Sequence, residues 1–479
     1  MIKNQNAFDR YQENRQSHWD NIARGMYDSR SWGRYYHKRL EQIYRYLIPA
    51  DQKILEIGCG QGRLLASLKP KIGIGVDFSS EMISRARQRH PQLQFIQLDA
   101  YDLDLNDTFD IIILSDVVND LWDVQVLFER IKKYTTPQTR VIINVYSHLW
   151  EQPLKVAQRL GLATPTLPQN WLTVEDIYNL LYLTNFEVIR NWEEILWPLN
   201  TPLLASLFNR YGAKLWPLKK LALTNFILAR PKPQQTNPDE EGVVSVIVPA
   251  RNEAGNIENI LQRTPKMGKV TEIIFVEGHS QDNTYETIEK AIANSSRHNC
   301  KLFRQRGKGK GDAVRLGFEK ASGDILMILD ADMTVPPEDL PRFYEALRCG
   351  NAEFVNGVRL VYPMEKQAMR FLNILGNKLF SIAFSWLLGQ PMKDSLCGTK
   401  ALSKKNYLKI VENRSYFGDF DPFGDFDLIF GAAKLNLKIV DMPIRYRERI
   451  YGETQISRWR HGWLLLKMVV FAAWRIKLL

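Results

Sequence analysis

The chain has 479 residues, 45% of them hydrophobic and 24% charged, and a formal net charge of +11. That length exceeds one ordinary core, so two or three globular domains are expected, and the basic balance leaves nucleic acid, phosphorylated substrates and acidic membrane surfaces as candidate partners. Cys59, Cys300, Cys349 and Cys397 form no CxxC pair, which argues against a disulfide framework or a zinc site and makes a reducing compartment the default.

The opening residues MIKNQNAFDRYQENRQSHWD have no apolar core, so no signal peptide is expected. A rhythm of short β-branched runs and amphipathic stretches then begins: KILEIGC and GRLLASL, IGIGVDF and SEMISRARQ, DIIILSD and VQVLFERIKKY, then RVIINVY. Such alternation predicts parallel α/β sheets with right-handed crossovers and ligands at the carboxyl ends of the strands. The first strand ends at Ile57, and Gly58, Gly60 and Gly62 follow. Glycines there let the backbone turn sharply and approach a ligand beside the next helix. A dinucleotide site would want GxGxxG, whose sixth position is here Arg63.

The run ExGxGxG, starting at Glu56, resembles the S-adenosylmethionine (SAM) site of the class I methyltransferases. Over residues 50–150 the resemblance implies a Rossmann-like sheet that binds SAM through Glu56, Gly58, Gly60, Gly62, Asp77, Asp99 and Ser115. It places Asp77 on the ribose hydroxyls, Asp99 beside the adenine, and Ser115 and Asp116 near the transferred methyl. Methyl transfer needs alignment and, for an oxygen acceptor, a base; His37, Asp116 and His148 are the candidates. A non-catalytic SAM-binding or interaction module is the alternative. Residues 151–228, rich in Trp, Leu and Pro, read as completion of the sheet and a substrate cap.

The stretch ARPKPQQTNPDEEG, 229–242, has three prolines and no apolar periodicity. The expected domains are therefore 1–230, a linker 231–242, and 243–479. The rhythm restarts with VVSVIVPA and GNIENILQRT, EIIFVEG and TYETIEKAIAN, and DILMILDAD. In the last of these an apolar run ends at Asp330 and Asp332. Two acids so spaced repel unless they face a cation, and Mg²⁺ or Mn²⁺ bridging nucleotide phosphates would suit them.

The ordered segments VSVIVPARNEAGNI, FVEGHSQDNT, RGKGKGDAVRLGF and ILMILDADM resemble the inverting family-2 glycosyltransferases with the GT-A fold. VNGVRL, DSLCGTKAL, FGDFDLIFGAA and RERIYGETQI narrow the likeness to polyprenyl- and dolichyl-phosphate sugar synthases. Over 243–460 it implies that Pro249, Asn252, Glu253, Glu277, Lys308 and Arg449 bind a nucleotide sugar with Asp330, and that Asp330 and Asp332 hold the metal. Arg359, Arg370 and Asn373 would hold an acceptor phosphate, and Asp427, two residues from Asp425, is a candidate catalytic base or acceptor-loop carboxylate. This chain departs from the family at Glu277-Gly278, where an acid pair is usual, at Gln455 for lysine and at Asn373 for serine. A phosphate acceptor, mostly a dianion at neutral pH, needs positioning by arginines more than it needs a base.

The apolar run 379–392 is short for a bilayer span. Residues 368–389 read as core or interface helix, and 445–479, with eight Arg or Lys against two acids, as an interface segment. The sequence thus implies a bifunctional cytoplasmic enzyme, peripheral on the inner face of the cell membrane, with no nucleic-acid partner. It would transfer a sugar to a polyprenyl phosphate and a methyl group from SAM. A glycosyltransferase with a soluble or protein acceptor is the alternative.

Overall fold

The computed structural model describes residues 2–25, 33–161, 163–233, 242–295, 298–362, 371–414, 424, 426–449, 451 and 458–478. The chain divides into two compact units between Lys232 and Pro233. The division falls inside the expected linker, whose residues 234–241 lie outside the described residues.

The first unit opens with α1 (Ile2–Gly25) and α2 (Gly33–Leu47) and then builds a sheet from β1 (Lys53–Ile57), β2 (Ile72–Asp77), β3 (Gln94–Gln97), β4 (Phe109–Ser115), β5 (Thr135–Tyr146), β6 (Phe186–Glu194) and β7 (Thr224–Pro231). The strand order is β3-β2-β1-β4-β5-β7-β6. The connections carry α3 (Arg63–Ser67), α4 (Ser80–Arg89), α5 (Val124–Ile131), α6 (Glu151–Arg159), α7 (Val174–Leu183) and α8 (Leu204–Arg210). Helix starts follow local chemistry: Ser79 and Asp123 accept from the Met82 and Val126 amides, and Thr173 with Asp176 makes a capping box. The four strands read as parallel (β1, β2, β4 and β5) are parallel, as is β3, which joins them alongside β2. The sheet's completion by 151–228 is not: β7 runs antiparallel to both β5 and β6.

Successive side chains on a strand point to opposite faces, and the β-branched runs sort accordingly. Leu55, Ile57, Ile112, Leu114, Val141 and Ile143 enter one core. Ile54, Ile111, Ile113 and Ile142 enter another, with Tyr44 and Phe226. Burial on both faces is what a parallel sheet covered by helices requires.

The second unit has strands β8 (Val243–Ala250), β9 (Val270–Glu277), β10 (Asn299–Arg304), β11 (Ile325–Ile328), β12 (Phe354–Val358), β13 (Lys400–Ser403) and β14 (Ile439–Pro443), in the order β10-β9-β8-β11-β13-β12-β14. Here too one strand breaks the parallel pattern, since β13 is antiparallel to β11 and β12. The helices are α9 (Ile257–Arg263), α10 (Thr284–Asn294), α11 (Lys310–Lys320), α12 (Leu340–Arg348), α13 (Phe371–Leu388), α14 (Lys404–Glu412), α15 (Phe426–Lys434) and α16 (Arg458–Ala472). α11 lies so close on β8 that a Cβ at Gly317 would meet Ile247 at 2.5 Å. All four cysteines carry free thiols. Among the described residues no helix is long and apolar enough to cross a membrane.

Because each unit closes its own cores, residues 1–232 and 233–479 expressed separately are expected to melt as two independent cooperative transitions. Calorimetry checks this; insolubility of both halves would overturn it.

Candidate active sites

In the first unit the strand ends converge as the glycine motif implies. Gly58, Gly60 and Gly62 all have positive φ (73°, 50° and 73°), but for different reasons. A Cβ at Gly58 would meet Val117 at 2.7 Å, and one at Gly62 would collide with Phe95. Nothing lies within 4 Å of a Cβ built on Gly60. Gly58 and Gly62 therefore serve packing, and Gly60 borders open space, a cradle that a side chain would fill and that suits a bound cofactor.

Carboxylates line the same edge of the sheet. Asp77 accepts from the Gly60 amide (2.8 Å) and the Ser79 amide (2.9 Å), and burial pushes its pKa up to about 6. Glu56 accepts from the Leu65 amide (3.1 Å), and burial pushes it up to about 8. Asp99, half-buried, accepts from the Tyr101 amide at 2.9 Å and is likewise raised by desolvation. Ser115 ends β4. Asp116 follows with a φ of 56°, a strained value for a residue with a side chain. It accepts from the Tyr36 hydroxyl (2.9 Å) and the Asn144 amide (2.6 Å), and burial raises it to about 7. Tyr44 donates to Asn144 at 2.6 Å, extending the network. His37 and His148, the other candidate bases, are exposed, and His148 stands 3.9 Å from Glu151.

Helix α1 covers this edge. Arg15 pairs with Asp120 (2.7 Å), Trp19 donates to the same carboxylate (2.9 Å), and Tyr11 donates to the Asp120 carbonyl (3.2 Å). Near its end Asp20 accepts from the Glu81 amide at 3.2 Å. Sequence reasoning missed this cover, although Tyr11, Arg15 and Trp19 recur every four residues on one helix face.

In the second unit Asp330 and Asp332 lie just past the end of β11. Asp330 pairs with Lys310 at 2.5 Å. Asp332 accepts from the Thr334 hydroxyl (2.8 Å) and pairs with Arg449 (2.6 Å), which also lies 3.5 Å from Glu253. Glu253 is pushed up to about 7 by burial, against the opposing Arg449 charge. The site is thus a ring of acids offset by cations. A Cβ at Gly398 would strike both Lys310 and Asp330, so the 394–398 loop closes directly on that ion pair. An oxygen-rich pair of this kind fits a hard divalent ion that draws its other ligands from a substrate.

The neighbouring expectations divide. Asn252, at a φ of 56°, accepts from the Gln281 amide (2.7 Å), and Glu277 at the end of β9 accepts from the Ser280 amide (2.5 Å), so the two loops are tied together beside Pro249. Lys308 is exposed, whereas the unforeseen Lys310 reaches Asp330; its place at the start of α11, just after Gly309, was the available signal. Arg359 makes a two-pronged pair with buried Asp394 (2.7 and 2.8 Å), which also accepts from Asn377. Asp427 is buried between Arg315 (3.1 Å) and Arg414 (3.6 Å). Arg370, Asp425 and Gln455 lie outside the described residues, and Asn373 is described only as backbone in the first turn of α13.

Comparison with known proteins assigns the two units separately. Residues 245–405 match the model for glycosyl transferase family 2, and residues 48–185 match a methyltransferase domain. The dolichol-phosphate mannosyltransferase of Pyrococcus furiosus is 32% identical over 222 residues, 45% of this chain and 59% of that protein. The undecaprenyl-phosphate 4-deoxy-4-formamido-L-arabinose transferase of Pectobacterium atrosepticum is 36% identical over 45% of this chain and 62% of its own length. The dolichol-phosphate mannosyltransferase of Saccharomyces cerevisiae is 39% identical over 44% of this chain and 80% of its own. The chain thus spans less than two thirds of the first two relatives.

Two outcomes follow from the geometry. Glu56 loses its proton near pH 4.3 when unfolded and near 8 when folded. The folded state keeps a proton that the unfolded state has released, so the stability it contributes is full below about pH 4 and is lost as pH rises towards 8. The melting temperature of residues 1–232 should fall from pH 5.5 to 8, and Glu56→Gln should flatten that fall; an equally steep fall in the variant would clear Glu56. Gly60→Val should fold with a penalty of about 1–2 kcal/mol for its backbone angle, because a Cβ there has no protein atom within 4 Å, yet should abolish SAM binding in a titration. Unchanged binding would remove Gly60 from the site.

Proposed function

The chain belongs to glycosyl transferase family 2 through its C-terminal half and carries a methyltransferase domain in its N-terminal half, and from that premise we propose a bifunctional enzyme. The C-terminal unit transfers a sugar from a nucleotide sugar to a polyprenyl phosphate with inversion, and the N-terminal unit transfers a methyl group from SAM. The observation that carries the first reading is the acid pair Asp330 and Asp332 with Lys310 and Arg449 set against it. Asp330 and Asp332 would hold Mg²⁺ or Mn²⁺, which when bound offsets charge on the departing nucleoside diphosphate.

The chain's own residues do the rest. Arg449, shared between Asp332 and Glu253, turns from carboxylates to the diphosphate as the donor binds. Glu277 and Asn252 hold the loops that floor the nucleotide. Asp427, clamped by two arginines, orients those cations rather than acting as a base, and a phosphate dianion needs no base. Arg359 secures the 394–398 loop through Asp394, leaving Arg370 and Asn373 to meet the acceptor phosphate. The lipid tail lies along α13 and α16, where Leu379, Ile382, Trp463, Leu466 and Trp474 are exposed beside Lys378, Lys467 and Arg475. Aromatic and basic side chains around an apolar stripe suit an interface position.

In the N-terminal unit Glu56, Gly58, Gly60, Gly62, Asp77, Asp99 and Ser115 would hold SAM, whose sulfonium supplies the methyl group. Tyr36 and Asn144 hold the Asp116 carboxylate. Asp116, so held, would accept the acceptor's proton as the methyl group is transferred.

Asp332→Asn is expected to fold normally, since the site lies at a strand end, and to lower transfer by roughly 100-fold or more. The assay is nucleoside diphosphate release with polyprenyl phosphate across a panel of nucleotide sugars, with and without Mg²⁺ or Mn²⁺. Full activity of the variant would remove the metal reading, and turnover with soluble phosphates alone would remove the lipid acceptor.

A further inference from the structure

The insertion between β6 and β7 carries an apolar surface that the cores of its unit do not use. Register fixes where it lies. Thr224 pairs with both Tyr146 and Glu194, so residues 195–223 leave and re-enter the sheet at the end where β4 delivers Asp116. Ser147 donates to the Leu223 carbonyl (2.7 Å) and Trp150 to that of Leu221 (2.9 Å), which ties α6 to the insertion. Asn209 in α8 is buried. Its side chain exchanges two 2.7 Å hydrogen bonds with the Trp197 backbone and donates to the Tyr35 hydroxyl at 3.0 Å. The next residue, Tyr36, is the donor to Asp116. The inner side of the insertion is therefore anchored by polar contacts one residue from the methyl-transfer site.

Its outer side is greasy. Leu203 is 87% exposed and Trp216 78%, with Leu207, Leu215 and Leu221 exposed in the same segment and Leu160 exposed beyond α6. Scattered exposed leucines are ordinary, whereas a run of them around a tryptophan is not. Residues 203–221 contain Arg210, Lys214, Lys219 and Lys220 and no acid. Lys214 is buried against Glu194, while Lys219 and Lys220 share Glu193 at the rim and Arg159 is exposed on α6. Apolar side chains and a tryptophan rimmed by cations match the interfacial region of an anionic bilayer, where each basic residue near the surface adds attraction.

We propose that this surface docks on an anionic membrane, and that the methyl acceptor is a membrane-borne amphiphile whose polar end reaches the site at Asp116. The acceptor class rests on the methyl-transfer reading above; the docking surface does not.

Amide hydrogen exchange of the full chain, with phosphatidylcholine vesicles that contain or lack phosphatidylglycerol, tests the surface. Amides of 204–221 should exchange at least roughly tenfold more slowly on the anionic vesicles. The double variant Leu207→Ser, Leu221→Ser should lose that slowing while its SAM affinity, read by calorimetry, stays unchanged. Lys220→Glu should weaken the response to phosphatidylglycerol. No slowing in this segment would overturn the proposal. So would slowing without vesicles that grows with protein concentration, which would make the surface an interface between copies of the chain. For the acceptor, labelled methyl from SAM should enter the organic phase of a reconstituted membrane lipid extract, and recovery only in water-soluble products would overturn that class. Failure of the wild type to bind SAM would remove the methyl-transfer reading and leave the exchange result to judge the surface alone.

Discussion

Both candidate sites are built on carboxylates placed at the carboxyl ends of parallel strands, where the fold leaves backbone amides unpaired and water partly excluded. Each such acid must be offset, and the two units do it differently. In the first, Asp77 and Glu56 lean on backbone amides and Asp116 on a tyrosine and an asparagine. Neutral donors only partly replace hydration, so burial wins and the proton affinities rise to about 6, 8 and 7. In the second, Asp330 and Asp332 each face a lysine or arginine, as do Asp394 in the neighbouring loop and Asp427 in α15.

That contrast fits the ligands proposed. Buried acids held by neutral donors gain most from a cationic ligand, and SAM, with a sulfonium and an ammonium, is one. Acids already matched to cations form a balanced lattice that would suit the proposed metal ion and diphosphate together, with Asp330 and Asp332 for the ion and Lys310 and Arg449 for the phosphates. Among the described residues no three or more His, Cys, Asp or Glu side chains gather as a metal cage. An ion held by Asp330 and Asp332 would therefore take its other ligands from the nucleotide and water, so metal affinity and donor binding would rise together.

What could be read in the sequence was whatever is local along the chain. Strand ends, glycine turns and the paired acids are set by neighbours a few residues apart, so the two α/β repeats and the positions of Glu56, Gly60, Asp77, Asp330 and Asp332 at strand ends could be read directly. The antiparallel β7 and β13 could not, because an apolar run carries no direction. Partners distant in sequence were also hidden. Arg359 finds Asp394, Asp427 finds Arg315, and Arg15 finds Asp120 across 105 residues. In each case a guanidinium that sequence could assign equally to a phosphate or to a carboxylate is claimed by the carboxylate that the fold brings within reach. Lys308 and Lys310 make the same point at short range. They differ only in which side of Gly309 they occupy, and the lysine that opens α11 is the one delivered to Asp330. Motif chemistry names the kind of residue a site needs, and the geometry of a single turn decides which copy of it arrives.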